Sequence, residues 1–145
     1  MENKQLTQQQ KQLLLNTAQE ARKRAYAPYS HFMVGAALMG ESGKVYTGCN
    51  VENASYPAGL CAERSAVAQG IAQGEQRFAA IAITGGGKGQ ESPLGPAYPC
   101  GICRQVLLEF CSPGAFLVLT GDSSHWEEYT LAELLPHSFG PEALK

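Results

Sequence analysis

Three of the chain's five cysteines stand where two helices should begin. Cys61 opens "CAERSAVAQGIAQG", in which Ala62, Ala66, Val67 and Ile71 share one helical side and Gly74 marks the stop. Cys100 and Cys103 open a second helical run through Ile102, Val106, Leu107 and Phe110, broken by Ser112-Pro113-Gly114. A helix start carries unpaired N–H groups and a partial positive charge, and both lower the pKa of a thiol placed there. The thiolate is the form that binds a metal. The Cys-x-x-Cys pair can put two sulfurs on one ion, and Cys61 can add a third from the other helix. A fold that uses all three must bring two helix starts to one point.

The rest of the chain supplies strands around those helices. Thr7 with Gln10 is a capping-box pattern, and Leu14, Ala18, Ala21 and Ala25 follow at helical spacing, so 7–25 reads as a helix ended before Pro28. "FMVGAALM" (32–39) and "KVYTGCNV" (44–51), joined by Glu41-Ser42-Gly43, read as a hairpin. "FAAIAIT" (78–84) and "AFLVLT" (115–120) read as buried strands, with a short fifth over 127–130. The Gly- and Pro-rich stretch 85–99 reads as a loop, and Thr130 with Glu133 opens a short helix that Pro136 ends. "GGGK" does not complete a phosphate-binding loop, since Ala82 stands where its first Gly belongs and Gly89 follows Lys88. Alternating strands and helices without a repeat or linker indicate one α/β domain over 1–145, with helices on a mixed sheet.

Composition narrows the class of partner. The formal net charge is −2, and Arg22-Lys23-Arg24 is the one tight basic group, read as the wet face of a helix. Neither nucleic acid nor an anionic membrane is expected as a partner. No apolar run approaches the roughly 18 residues that span a bilayer. The N-terminus "MENKQLTQQQKQLLL" has no export-leader pattern, so a cytoplasmic protein is expected. In a reducing compartment, five cysteines favour metal or catalysis over a disulfide framework.

Three thiolates suit zinc, which prefers four ligands, so a fourth position stays open to water. Open sites are catalytic and closed sites structural. Glu63, two residues after Cys61, can reach that position without being a ligand and can move protons there. Three plainer readings stand beside this one. The thiols could be buried apolar residues. A closed structural site could recruit Cys49 or Cys111, otherwise read as inert buried thiols. Glu63 could be an ordinary first-turn acid favoured by the helix dipole. The three histidines, His31, His125 and His137, read as surface or structural groups.

Three cysteines with a glutamate placed in this way form the known pattern of zinc nucleobase deaminases. "CAER" (61–64) and "PCGICRQ" (99–105) resemble the two zinc motifs of the small cytidine deaminases. "YSHFMVGAAL" (29–38), "GCNVENASYP" (48–57) and "ELLPHSFGP" (133–141) are similar to that family's other signatures. The resemblance implies a three-layer α/β/α fold with a five-stranded mixed sheet, a zinc-dependent hydrolase of pyrimidine salvage, and usually a homotetramer. It implies one zinc per subunit on Cys61, Cys100 and Cys103. Cytidine and 2′-deoxycytidine would become uridine and 2′-deoxyuridine plus ammonia, a zinc-bound hydroxide attacking C4 with Glu63 as proton shuttle. It also implies that Asn50 and Glu52 hold the ribose 3′-hydroxyl and that Phe32 walls the base pocket. Ala62 would contact substrate, Tyr56 and Phe139 would reach a neighbouring subunit's site, and Arg64 would hydrogen-bond the sulfurs. Two departures from the family pattern are Met33, where proline is common, and a longer 85–97 loop. Rival readings are a deaminase of another aminopyrimidine nucleoside, a polynucleotide-editing deaminase and a zinc-stabilised module without activity.

Overall fold

The first helix, α1 (Gln8–Arg22), starts at a capping box, as its sequence predicts. Thr7 Oγ1 accepts from the Gln10 amide at 3.1 Å, and Gln10 Oε1 accepts from the Thr7 amide at 2.8 Å. The computed structural model describes residues 6–145; residues 1–5, where the N-terminal reading and the 1–145 domain begin, lie outside the described residues. The helix ends three residues before the expected Ala25. Lys23, Arg24 and Ala25 hydrogen-bond back to Glu20, Ala21 and Arg22, the tightened spacing of a helix that is closing off.

Strands β1 (Phe32–Gly40) and β2 (Val45–Cys49) form the expected hairpin, turned at Gly43 with φ +92°. Helix α2 (Ala62–Ala72) follows, capped by Cys61 and stopped at Gly74, which also has a positive φ. Next come β3 (Phe78–Gly87), α3 (Gly101–Glu109), β4 (Leu117–Asp122), β5 (His125–Thr130) and the one-turn α4 (Leu131–Leu134). The sheet order is β2-β1-β3-β4-β5. Among neighbouring strands of the described residues only β3 and β4 pair in parallel, so the sheet is mixed and the α/β expectation holds.

Alternation along the central strands divides the core into two layers. Ala37, Ala80, Ala82 and Leu119 face Leu14, Leu15 and Ala18 of α1. Ala36, Leu38, Ile81, Ile83 and Val118 face Ala62, Ala66 and Val67 of α2 and Leu107 and Leu108 of α3. Helices α2 and α3 therefore lie on one side of the sheet, with α1 on the other. Glycines set how closely the helices approach. A Cβ on Gly35 would fall 2.0 Å from the Ala18 carbonyl oxygen of α1, and one on Gly48 2.4 Å from the Ala62 carbonyl oxygen of α2. The start of α2, and Cys61 with it, is seated directly on β2 for that reason.

Several boundaries differ from the sequence expectation. Strand β3 runs through Gly85-Gly86-Gly87, read above as loop, because Val34, Met33 and Phe32 of β1 offer ladder partners to each. Backbone pairing needs no side chain, so low β-propensity did not stop it. Strand β4 is shifted to 117–122 and β5 begins at His125, since the connecting turn is the two residues Ser123-Ser124. Arg22 also departs from the wet-face reading. It is buried, and its guanidinium donates to the carbonyl oxygens of Met33, Gln90 and Gly87 at 3.0, 3.1 and 2.7 Å. Lys23 and Arg24 are exposed as expected.

Candidate active site

Two helix starts meet on the α2–α3 side of the sheet. Cys61 caps α2, Cys100 caps α3, and Cys103 lies in the first turn of α3. Their sulfurs all lie within 4.8 Å of one another. Three sulfurs bound at about 2.3 Å on a tetrahedral ion stand about 3.8 Å apart, so the group fits zinc. Among the described residues, neither Cys49, Cys111 nor Glu63 belongs to this group, which leaves three sulfurs and no fourth thiol. Cys103 is buried, Cys61 half-buried and Cys100 exposed, so the cluster opens to one side. Cys111 is buried as expected, whereas Cys49 is only half-buried.

The electrostatics favour a thiolate here. A hydrogen bond from the Cys103 thiol lowers the Cys61 pKa to about 5, against burial and with help from Arg64. The same bond, together with burial, pushes the Cys103 thiol upward. A cation at their centre would favour the thiolate at each sulfur. Arg64 Nη2 lies 3.6 Å from Cys61 Sγ and donates to it. Arg64 Nε is buried with no hydrogen-bond partner among the described residues.

Glu63 is 5% exposed, in the first turn of α2. Burial above all, opposed by its backbone hydrogen bond and aided by the neighbouring Cys61 thiolate, raises its carboxyl to about 7. A carboxyl poised near neutrality exists in both protonation states and can pass a proton either way. A second arginine, Arg104, supports the cluster from behind. Its Nε donates to the Pro99 carbonyl at 2.7 Å and its Nη1 to the Leu134 carbonyl at 2.6 Å, tying the approach to Cys100 to α4. Sequence reading passed over Arg104, although it directly follows Cys103 in "PCGICRQ".

Asn50 and Glu52 sit on the segment that follows β2. Asn50 Oδ1 accepts from the Val34 amide at 2.8 Å and its Nδ2 donates to the Phe32 carbonyl at 2.9 Å. The Asn50 amide therefore holds the start of β1 and keeps one N–H and one lone pair for another partner. Glu52 Oε1 accepts from the Tyr29 and Ser30 amides at 3.0 and 3.1 Å, and Oε2 accepts from the Ser30 hydroxyl. The Ser30 hydroxyl first, then the Ser30 amide, hold the Glu52 carboxyl below its ordinary value. A cavity of about 370 Å³ is lined by Tyr29, Ser30, Glu52, Asn53, Tyr56 and Gly59. None of the cysteines lines it, nor does Glu63. Tyr29, Ser30 and Asn53 were not singled out from sequence, though all three lie inside the quoted signature stretches.

Ala62 is buried in the first turn of α2, and Phe32 stands exposed at the head of β1. Tyr56 is 75% exposed and Phe139 64% exposed, and the Phe139 carbonyl accepts from Gln105 Nε2 of α3 at 2.8 Å. All three histidines are exposed and none joins the cluster. Among the described residues, no helix is long and apolar enough to cross a membrane.

Comparison with known proteins matches residues 8–119 to the model of the cytidine and deoxycytidylate deaminase zinc-binding region. A cytidine deaminase of Sporosarcina psychrophila is 43% identical over 131 residues, covering 90% of this chain and 92% of the relative. The crystal structure of a cytidine deaminase from Burkholderia pseudomallei superposes with a TM-score of 0.77 at 44% identity, over 88% of this chain and 97% of that one. That of a cytidine deaminase from Mycobacterium tuberculosis gives 0.73 at 39% identity, over 88% and 95% of the two chains.

Proposed function

Because the chain belongs to the cytidine and deoxycytidylate deaminase family, we propose that it hydrolyses cytidine and 2′-deoxycytidine to uridine and 2′-deoxyuridine, releasing ammonia. The observation that carries this is the buried Glu63, raised to about 7, on the helix start that also presents Cys61 to Cys100 and Cys103. Cys61, Cys100 and Cys103 would hold one zinc per subunit. Zinc bound there supplies the Lewis acidity that makes water nucleophilic near neutral pH.

The chain's own groups do the rest. Glu63 takes a proton from water as its oxygen adds to C4 of the ring, and delivers it to N3. The same carboxyl then takes the remaining proton from the new C4 hydroxyl and gives it to the exocyclic amine, which leaves as ammonia while C4 becomes a carbonyl. Three thiolates place a negative charge beside this step. The two helix starts and the Arg64 guanidinium offset it.

Asn50 and Glu52 supply acceptors and an amide for the ribose 3′-hydroxyl, and Phe32 and Ala62 flank the base. The exposed rings of Tyr56 and Phe139 support a homotetramer in which each reaches a neighbour's site. The reading places the reaction in pyrimidine salvage and the protein in the cytoplasm. The test is ammonia release from cytidine by the zinc-loaded protein, run beside cytosine and a cytidine-containing oligonucleotide. Release from the nucleoside alone supports the reading. Release from the oligonucleotide, or from none of the three, overturns it. Sedimentation of the active protein as a monomer would remove the shared-site part.

A further inference from the structure

The segment joining β3 to α3 is fastened along its length by groups with no part in the chemistry above. At its start, the buried Arg22 guanidinium holds the carbonyl oxygens of Gly87 and Gln90, and Gln90 Oε1 accepts from the Gly87 amide at 3.0 Å. At its middle stands Asp122, the last residue of β4, fully buried. Its Oδ2 accepts from Ser92 Oγ and from the Leu94 amide, each at 2.7 Å. Its Oδ1 accepts from the Ser124 amide and hydroxyl and the His125 amide at 2.9, 2.6 and 3.1 Å. At its end, Thr120 Oγ1 accepts from the Ala97 amide at 2.6 Å and donates to the Ala97 carbonyl at 3.1 Å. Pro99 is then held by Arg104, and Cys100 follows.

A buried carboxylate is costly, and among the described residues no Lys or Arg pairs with Asp122. Five hydrogen bonds satisfy it, two from the loop and three from the β4–β5 turn. The loop side of that arrangement reaches the candidate site. A Cβ built on Gly85 would lie 2.9 Å from the Ala97 methyl and 3.1 Å from the Phe32 ring, so Ala97 and Phe32 close on the same point. Three residues beyond Ala97 lies Cys100, the exposed member of the sulfur group.

We propose that Asp122 is a positioning residue: by gripping Ser92 and Leu94 it fixes the course of the 88–97 loop, and so sets Ala97 against Phe32 and Cys100 against Cys61 and Cys103. The inference rests on the reading of Cys100 as a metal ligand and Phe32 as a wall of the base pocket. Asparagine at 122 has the same shape but must turn an NH2 group toward donors at one end. Toward the turn it would oppose two backbone amides, those of Ser124 and His125, and toward the loop only that of Leu94, so the NH2 turns to the loop, faces the Leu94 amide donor to donor, and the grip fails.

The test compares Asp122→Asn, Ser92→Ala and, as a core variant of lost stability away from the loop, Leu15→Ala. Three quantities are read well below each unfolding transition: zinc release to a chelator from the loaded protein, hydrogen exchange at the Leu94 and Ala97 amides, and kcat and KM for cytidine. Asp122→Asn should release zinc about tenfold faster than Leu15→Ala, the lower range for losing a support of a ligand. Ser92→Ala should move in the same direction by less, with KM for cytidine raised in both. Leu94 and Ala97 should exchange faster in both loop variants while Ala18 in α1 does not. Zinc release matching Leu15→Ala, or unchanged exchange at Leu94, overturns the proposal. If Asp122→Asn does not fold, Ser92→Ala decides by the same criteria. A wild type that holds zinc but leaves cytidine intact removes the activity reading alone. One that holds no zinc removes the ligand reading, and exchange at Leu94 still judges the grip.

Discussion

The three sulfurs and Glu63 hang on the first turns of two helices packed onto the sheet, whereas Tyr29, Ser30, Glu52 and Tyr56 sit on connecting segments open to solvent. The first region takes its geometry from elements buried in the core: Gly48 seats the start of α2, and Leu107 and Leu108 anchor α3. The second takes its geometry from hydrogen bonds within itself, three of them on Glu52. Chemistry that needs a perturbed carboxyl and converging thiolates belongs in the first kind of region, where burial can shift a pKa. Recognition of a substrate hydroxyl suits the second, where polar groups stay near water and can exchange partners.

The contrast breaks most directly at the sulfurs. Cys103→Ala should strip zinc from the purified protein and abolish turnover, since two sulfurs do not hold a catalytic zinc. Metal analysis with an ammonia assay checks it, and an active variant would dissolve the distinction between the two regions. Next in size, Glu63→Gln should lower kcat by about a hundredfold to ten-thousandfold, the range for removing a general acid–base. KM and zinc content should change little. Arg64→Ala should release zinc about tenfold faster, because a hydrogen bond on a ligand sulfur is lost. A chelator time course reads that rate.

The solvent-facing region should respond differently. Ser30→Ala frees one oxygen of Glu52 and should raise KM for cytidine by up to about tenfold, the worth of roughly 1.4 kcal/mol, with kcat nearly kept. A fall in kcat without a change in KM would place Glu52 in the chemistry instead. The smallest expected effect concerns acid. The bonds from Ser124, Leu94 and Ser92 outweigh the effect of burial and hold the Asp122 carboxyl well below the usual carboxylate range. A carboxyl depressed in the folded state stabilises the protein above its unfolded pKa, and that contribution drains as pH falls below it. The stability gap between wild type and Asp122→Asn should therefore be constant from neutral pH down to the ordinary carboxylate range and shrink below it. Urea unfolding across pH reads this, and a gap that widens in acid would contradict the sign.

How much could be read beforehand follows the same division. The offset of Glu63 from Cys61, the spacing of Cys100 and Cys103, and their places at helix starts are local patterns, and the structure sets all of them where the pattern indicates. The hairpin and both capping boxes are local as well. Long-range pairing was not legible. Gly85 to Gly87 read as loop because glycine disfavours strands, yet β1 supplied a partner for each. Arg22 read as a wet cation because its three carbonyl partners lie on two other segments. Asp122 in "TGDSSH" looks like an ordinary turn aspartate, and three of its five bonds are local to that turn. The two that reach Ser92 and Leu94 depend on a loop whose course no nearby residue announces. Asn50 and Glu52 were placed by resemblance, and their bonds to β1 and to Ser30 appear only in three dimensions.

Zinc content per chain and ammonia release from cytidine, measured on one preparation each of the wild type and Glu63→Gln, test the central claim most directly. The account predicts equal zinc in both and release slowed by at least about a hundredfold in Glu63→Gln. Full zinc with undiminished release in Glu63→Gln would contradict it, because the buried carboxyl beside the three sulfurs would then have no part in the reaction.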